Sequence, residues 1–130
     1  MDITVYGSSC ASTRKSKRWF KEHAIPFEYR DITRKPLIEN EMQAILRMTE
    51  EGTKDIISTR SNIYKELNLD IDNLPLKQLY ELIYKFPKLL RQPIIVGVNK
   101  LQVGFDEYNI RQFIPREERK KLLNETLSMT

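Results

Sequence analysis

Cys10 is the only cysteine in the chain, and it lies in the run Gly7-Ser8-Ser9-Cys10-Ala11-Ser12-Thr13-Arg14. There a first short strand, Ile3 to Tyr6, is expected to hand over to a helix beginning near Ser12. A thiol at a helix start meets unpaired backbone N–H groups and the positive end of the helix dipole, which favour thiolate over thiol. Arg14 and Lys15 add positive charge nearby. The chemistry on offer is nucleophilic or redox. Thr13 occupies the position that would complete a C-x-x-C pair, so no internal disulfide can close and any thiol chemistry must involve another molecule. A lone cysteine can also be a small buried hydrophobe with no chemical role, and the strand-to-helix position beside cations argues against that. The single histidine, His23, has no cysteine or histidine cluster around it, so no metal and no other cofactor is expected.

The elements that would position Cys10 follow from periodicity. After the first strand, Trp19, Phe20 and His23 recur at helical spacing among Lys15, Lys17, Arg18 and Lys21, which predicts an amphipathic helix. The aromatics beside those cations could make a base-stacking surface, and core packing is the better reading of them. Pro26 ends the helix, and Phe27-Glu28-Tyr29-Arg30-Asp31-Ile32 alternates as a second strand, giving a parallel βαβ unit. From Ile38 to Leu90 the apolar residues fall at helical intervals, with Gly52 marking a helix exit and Pro75 a helix start. Ile94-Ile95-Val96 and Leu101-Gln102-Val103 flank a turn and predict a hairpin. Asp106 and Glu107 open a helix through Ile110 and Phe113, and Pro115 starts a charged terminal helix. Pro93 is a candidate cis proline, its alternative being a trans proline that starts an edge strand.

The expected fold is α/β: a thioredoxin-like mixed sheet in the order βαβ…ββα, with an inserted helical subdomain. Residues 1–36 and 91–115 would form the core, 37–90 the helical insert, and 116–130 a terminal helix and tail, all within one unit of 130 residues. In this architecture the residue before the proline faces the cysteine. No apolar run approaches the roughly 20 residues of a membrane span, and an unpaired cysteine suits a reducing compartment, so a cytoplasmic location with no membrane partner is expected. A net charge of +4 permits an acidic partner without demanding one, because 18 acids are interspersed among 22 bases.

Several strings together resemble one family. Besides Cys10, they are Ile45-Leu46-Arg47-Met48-Thr49-Glu50-Glu51-Gly52-Thr53, Ile56-Ile57-Ser58-Thr59-Arg60-Ser61, Leu89-Leu90-Arg91-Gln92-Pro93-Ile94-Ile95 and Leu101-Gln102-Val103-Gly104. The chain resembles the arsenate-reductase-like branch of thioredoxin folds, and within it the Spx transcriptional regulators of low-GC Gram-positive bacteria. The resemblance implies a non-enzymatic global regulator. It would bind the C-terminal domain of the RNA polymerase α subunit through a segment containing Arg47 and Gly52, and redirect transcription under thiol or oxidative stress. Promoter DNA would be reached only indirectly, through the polymerase, and an adaptor would deliver the tail to the ClpXP protease. Terminal bases in the run Arg116 to Lys121 could brush promoter phosphates, although mixed charges at that spacing ordinarily make a solvated helix face.

The rival implied by the resemblance is an arsenate-reductase-like thiol oxidoreductase using Cys10, with Arg60 and Arg91 neutralising the oxyanion. The third arginine of those enzymes would fall where this chain has Gln102-Val103-Gly104-Phe105. Many Spx proteins use C-x-x-C as a disulfide switch. Cys10 with Thr13 matches single-cysteine members, which leaves a mixed disulfide, sulfenic acid or small-thiol adduct open. Arg91 could stabilise an oxidised sulfur or instead pair with a carboxylate of the insert.

Overall fold

Side-chain alternation along four short strands divides the molecule into two packed layers. The computed structural model describes residues 2–115, so the run Arg116 to Lys121, the tail and the predicted terminal helix lie outside the described residues. β1 (Thr4–Gly7), α1 (Ala11–Glu22) and β2 (Glu28–Asp31) form the predicted parallel unit, with Thr4 opposite Glu28 and Gly7 opposite Asp31. β3 (Ile94–Gly97) runs antiparallel to β1, and β4 (Lys100–Val103) pairs antiparallel to β3 across the predicted hairpin. The sheet order is β2-β1-β3-β4.

Because strand side chains alternate faces, Val5 and Ile95 point to one side, where they pack with Trp19, Phe20, Ile25, Ile110 and Phe113. Ile94 points to the other side and joins Met42, Ile45, Ile56, Ile57, Leu79 and Ile83 of the helical insert, with Tyr6, Val96, Leu101 and Val103 packed against them. Trp19 and Phe20 are therefore core, as expected, and the cations of α1 are left on its outer side. The helix stops before Pro26 is reached. Ala24 adopts φ +53, and the Ile25 N–H returns to the Phe20 carbonyl at 2.9 Å, a left-handed C-terminal cap made without glycine.

The insert is made of α2 (Glu39–Leu46), α3 (Thr53–Ile56), α4 (Asn62–Glu66) and α5 (Leu76–Lys85), followed by a 3-10 turn over Pro87–Leu89. Two expectations need correction here. Gly52 does not end a helix: α2 finishes at Leu46, a loop follows, and Gly52 precedes α3. The segment after the hairpin is a 3-10 turn over Asn109–Phe113 rather than a helix from Asp106, because the Asp106 carboxylate accepts the N–H groups of Tyr108 and Asn109 at 2.8 and 3.1 Å and holds a turn there.

The insert is clamped where it rejoins the sheet. Ile57 bridges Leu90, the Ser58 N–H donates to the Leu89 carbonyl at 2.8 Å, and the Arg91 N–H to the Ile56 carbonyl at 2.7 Å. At its start, Arg30 of β2 forks onto Glu41 of α2 through Nη1 and Nη2, at 2.6 and 2.9 Å, and its Nε and Nη2 also reach the Lys35 and Pro36 carbonyls at 2.9 Å each. Among the described residues, no helix is long and apolar enough to cross a membrane.

Candidate functional site

The thiol sits at the seam between β1 and α1. Cys10 has extended backbone, φ −90 and ψ 166, and immediately precedes the first turn of α1. Its Sγ lies 3.2 Å from the Thr13 hydroxyl and 3.9 Å from Oε1 of Gln92. The same Gln92 oxygen accepts the Ser8 N–H at 2.8 Å and the Ser8 hydroxyl at 2.6 Å, so it ties the β1–α1 loop to the start of β3. Gln92-Pro93 is cis, as the sequence suggested, and the residue before the proline does face the cysteine.

Burial pushes the Cys10 thiol up, but hydrogen bonds to its sulfur from the Thr13 hydroxyl and the amides of Thr13, Ser12 and Cys10 outweigh it, and its pKa falls. The lowering thus has a different source from the cations read in the sequence. Arg14 turns its guanidinium to the Ser9 carbonyl at 3.4 Å. Thr13 is fully buried, and it fits only because residue 7 is glycine: a Cβ there would stand 2.5 Å from the Thr13 hydroxyl oxygen.

Neither candidate arginine is in polar contact with Cys10 among the described residues. Arg91 is exposed, directs Nη1 to the Asp55 backbone carbonyl at 3.4 Å, and lines a groove with Thr49, Glu50 and Lys100. Arg60 is exposed in the turn before α4 and has no hydrogen bond or ion pair among the described residues. Cys10, Arg60 and Arg91 do not form a closed oxyanion cradle in this conformation. No cluster of His, Cys, Asp and Glu among the described residues could hold a metal ion.

Arg47 and Gly52 lie on one ordered loop. Arg47 caps the C-terminal end of α2, and its side chain is exposed. Thr49 closes the chain back on α2, its hydroxyl donating to the Leu46 carbonyl at 2.6 Å and accepting the Gly52 N–H at 3.1 Å. The Asp55 carboxylate then accepts the N–H groups of Glu50 and Glu51, each at 3.0 Å. Gly52 sits at φ +78 and ψ −135, a conformation that residues with a Cβ rarely adopt, and nothing lies within 4 Å of where that Cβ would be. The result is a pinned backbone loop with a bare, outward-facing glycine between two short helices.

Several functional side chains escaped the sequence reading. Gln92 had a signal, its place before Pro93. Thr13 was noted only as the missing second cysteine, although its hydroxyl acts on the thiol. Thr49 and Asp55 carried no signal, because their work depends on how the loop closes.

A cysteine at the N-terminus of the first helix, facing a cis proline on a four-stranded mixed sheet, defines the thioredoxin-like class of folds. The ArsC family model matches residues 6–113. The solved ArsC-family-related protein of Bacteroides fragilis superposes with TM-score 0.76 at 22% identity, over 87% of this chain and 98% of that one. Closer in sequence, the global transcriptional regulator Spx 2 of Oceanobacillus iheyensis is 55% identical over 94% of this chain and 90% of its own length. The global transcriptional regulator Spx of Listeria innocua is 52% identical over 98% of each. The chain belongs to the ArsC family and, within it, to the Spx proteins.

Proposed function

We propose that this chain is a global transcriptional regulator that docks the C-terminal domain of the RNA polymerase α subunit on the Arg47–Gly52 loop. The observation that carries this reading is Gly52: half-buried, with open space where a Cβ would stand, and fixed by Thr49 and Asp55 in a conformation that only glycine takes readily. A partner backbone can approach there without displacing a side chain, and a loop already held by hydrogen bonds loses little entropy on binding. Arg47, at the end of α2, supplies a charged anchor at the rim. The names of its relatives, global transcriptional regulators, support a role in transcription; the regulator proposed here acts in the cytoplasm, activating some promoters and interfering with other activators under thiol stress.

Cys10 has no second cysteine within the chain, so docking in this protein does not depend on an internal disulfide. Calorimetry against the isolated C-terminal domain of the polymerase α subunit tests the reading, with Gly52→Arg and Arg47→Glu as variants that should lose binding while melting cooperatively.

The lowered pKa of Cys10 favours one second reading, a thiol oxidoreductase that attacks an oxyanion such as arsenate. That reading needs Arg60 and Arg91 to close on the sulfur. It is tested by consumption of a thiol reductant in the presence of arsenate, with Cys10→Ser as control; no turnover would remove it.

A further inference from the structure

Large apolar side chains stand exposed together at one place in the insert. Ile38 and Tyr84, 53% and 54% exposed, line a groove between the start of α2 and the length of α5, over a floor of buried Leu37, Met42 and Tyr80. Leu76, itself exposed, lies at i, i+4, i+8 spacing with Tyr80 and Tyr84, so the three make one row along α5. Lys77, Glu81 and Lys85 make the next row, and Glu39 stands on the α2 rim. None of these four charged side chains is in an ion pair among the described residues. Single surface hydrophobes need no explanation, but here an apolar floor, an apolar row and a row of unpaired charges run side by side.

We infer that this groove docks an amphipathic helix of a partner protein, one whose apolar stripe is flanked by Glu, Lys and Glu at i, i+4 and i+8. The charges define that flank. Opposite Lys77, Glu81 and Lys85 it forms three ion pairs, and a cation on its other flank meets Glu39. Lys77 and Lys85 are about 12 Å apart along α5 at 1.5 Å per residue, which is also the span of the partner's three charges. The backbone decides for a helix over a strand. Both walls of the groove are helical, so an extended segment finds no ladder to join and lays its own unpaired N–H and C=O groups on an apolar floor; a helix pairs them internally. A second copy of this chain fits poorly, because α5 laid antiparallel on α5 about Glu81 sets Glu81 on Glu81 and Lys77 on Lys85. The groove meets α2 at its N-terminal end and Arg47 caps the other, so this site is independent of the polymerase reading.

The test uses the full chain and two labelled, alanine-rich synthetic peptides of about 18 residues, a length that forms helix alone. Both carry the same leucine stripe; one has the Glu, Lys, Glu flank and the other Lys, Glu, Lys. By fluorescence anisotropy the wild type should bind the first about fivefold more tightly than the second, because three exposed attractions stand in place of three repulsions. The triple variant Lys77→Glu, Glu81→Lys, Lys85→Glu should invert that preference. Lys65→Glu, the same change in net charge on an exposed position of α4, should leave it unchanged. Tyr84→Ser should weaken both peptides about tenfold by removing an anchor. No binding of either peptide, equal affinity for the two, a preference that the triple reversal leaves in place, or no weakening by Tyr84→Ser would each overturn the groove as a helix-docking site. So would self-association of the wild type that Tyr84→Ser abolishes, which assigns the groove to a second copy. The isolated C-terminal domain of the polymerase α subunit should not displace the bound peptide, and displacement would overturn a separate site. Peptide binding by a chain that does not bind the polymerase domain supports the groove, and only the polymerase reading then falls.

Discussion

The thiol of Cys10 owes its character to one hydroxyl and three amides, and that makes Thr13 the residue to change. Thr13→Val keeps shape and burial but removes the hydrogen bond to sulfur. The pH profile of alkylation by iodoacetamide should then move upward, with a several-fold slower reaction at neutral pH; an identical profile would mean that the amides alone set the thiolate. Cys10 itself was readable in the sequence because a strand, a glycine-serine turn and a helix start are all local signals. Gln92 was readable only through its proline. The dependence of Thr13 on Gly7 was not readable, since it is a contact between a strand end and the buried side of the next helix.

Among elements, the link between β2 and α2 carries most of the polar stabilisation visible at the start of the insert. Arg30 and Glu41 are partly shielded from water, with side chains 18% and 24% exposed, and Glu41 also accepts the Ile38 N–H at 3.0 Å. Burial raises the Glu41 carboxyl, yet the bonds from Arg30 and the Ile38 amide outweigh it and its pKa is lowered, while the fork raises that of Arg30. A carboxyl held below its unfolded value stabilises the fold above the ordinary carboxylate range, and that contribution is lost as pH falls through the folded-state value. Glu41→Gln should therefore cost about 1–2 kcal/mol in urea unfolding at neutral pH, and the difference from wild type should shrink toward acid pH. A difference independent of pH would contradict the ionic assignment.

Element type was legible for β1, α1, β2 and the hairpin, where periodicity and turn residues agree. It was less so within the insert, because Ile56, Ile57, Ile63 and Leu67 fall at helical intervals without recording that α3 and α4 are only four and five residues long, or that α4 buries none of its side chains fully. Gly52 shows the same limit: a glycine after a helical run suggests a helix exit, and only the closed loop shows that it precedes the next helix.

The whole molecule is a sheet with different faces put to different uses. The layer under α1 depends on Phe20, which is fully buried among the rings of Trp19, Phe27 and Phe113. Phe20→Ala should cost about 3–5 kcal/mol of global stability by chemical denaturation, and a loss under about 1 kcal/mol would mean that the layer collapses to fill the space. The opposite layer presents the pinned loop, and Cys10 lies at the seam between sheet and helix, apart from that loop's hydrogen bonds. In the regulator proposed here, thiol state and polymerase docking are thus separable. The most direct measurement is calorimetric titration, with the C-terminal domain of the RNA polymerase α subunit added to the wild type, the Cys10-alkylated protein and Gly52→Arg. The account predicts equal binding by the first two and none by the folded Gly52→Arg; binding unaffected by Gly52→Arg, or absent from the wild type, would contradict it.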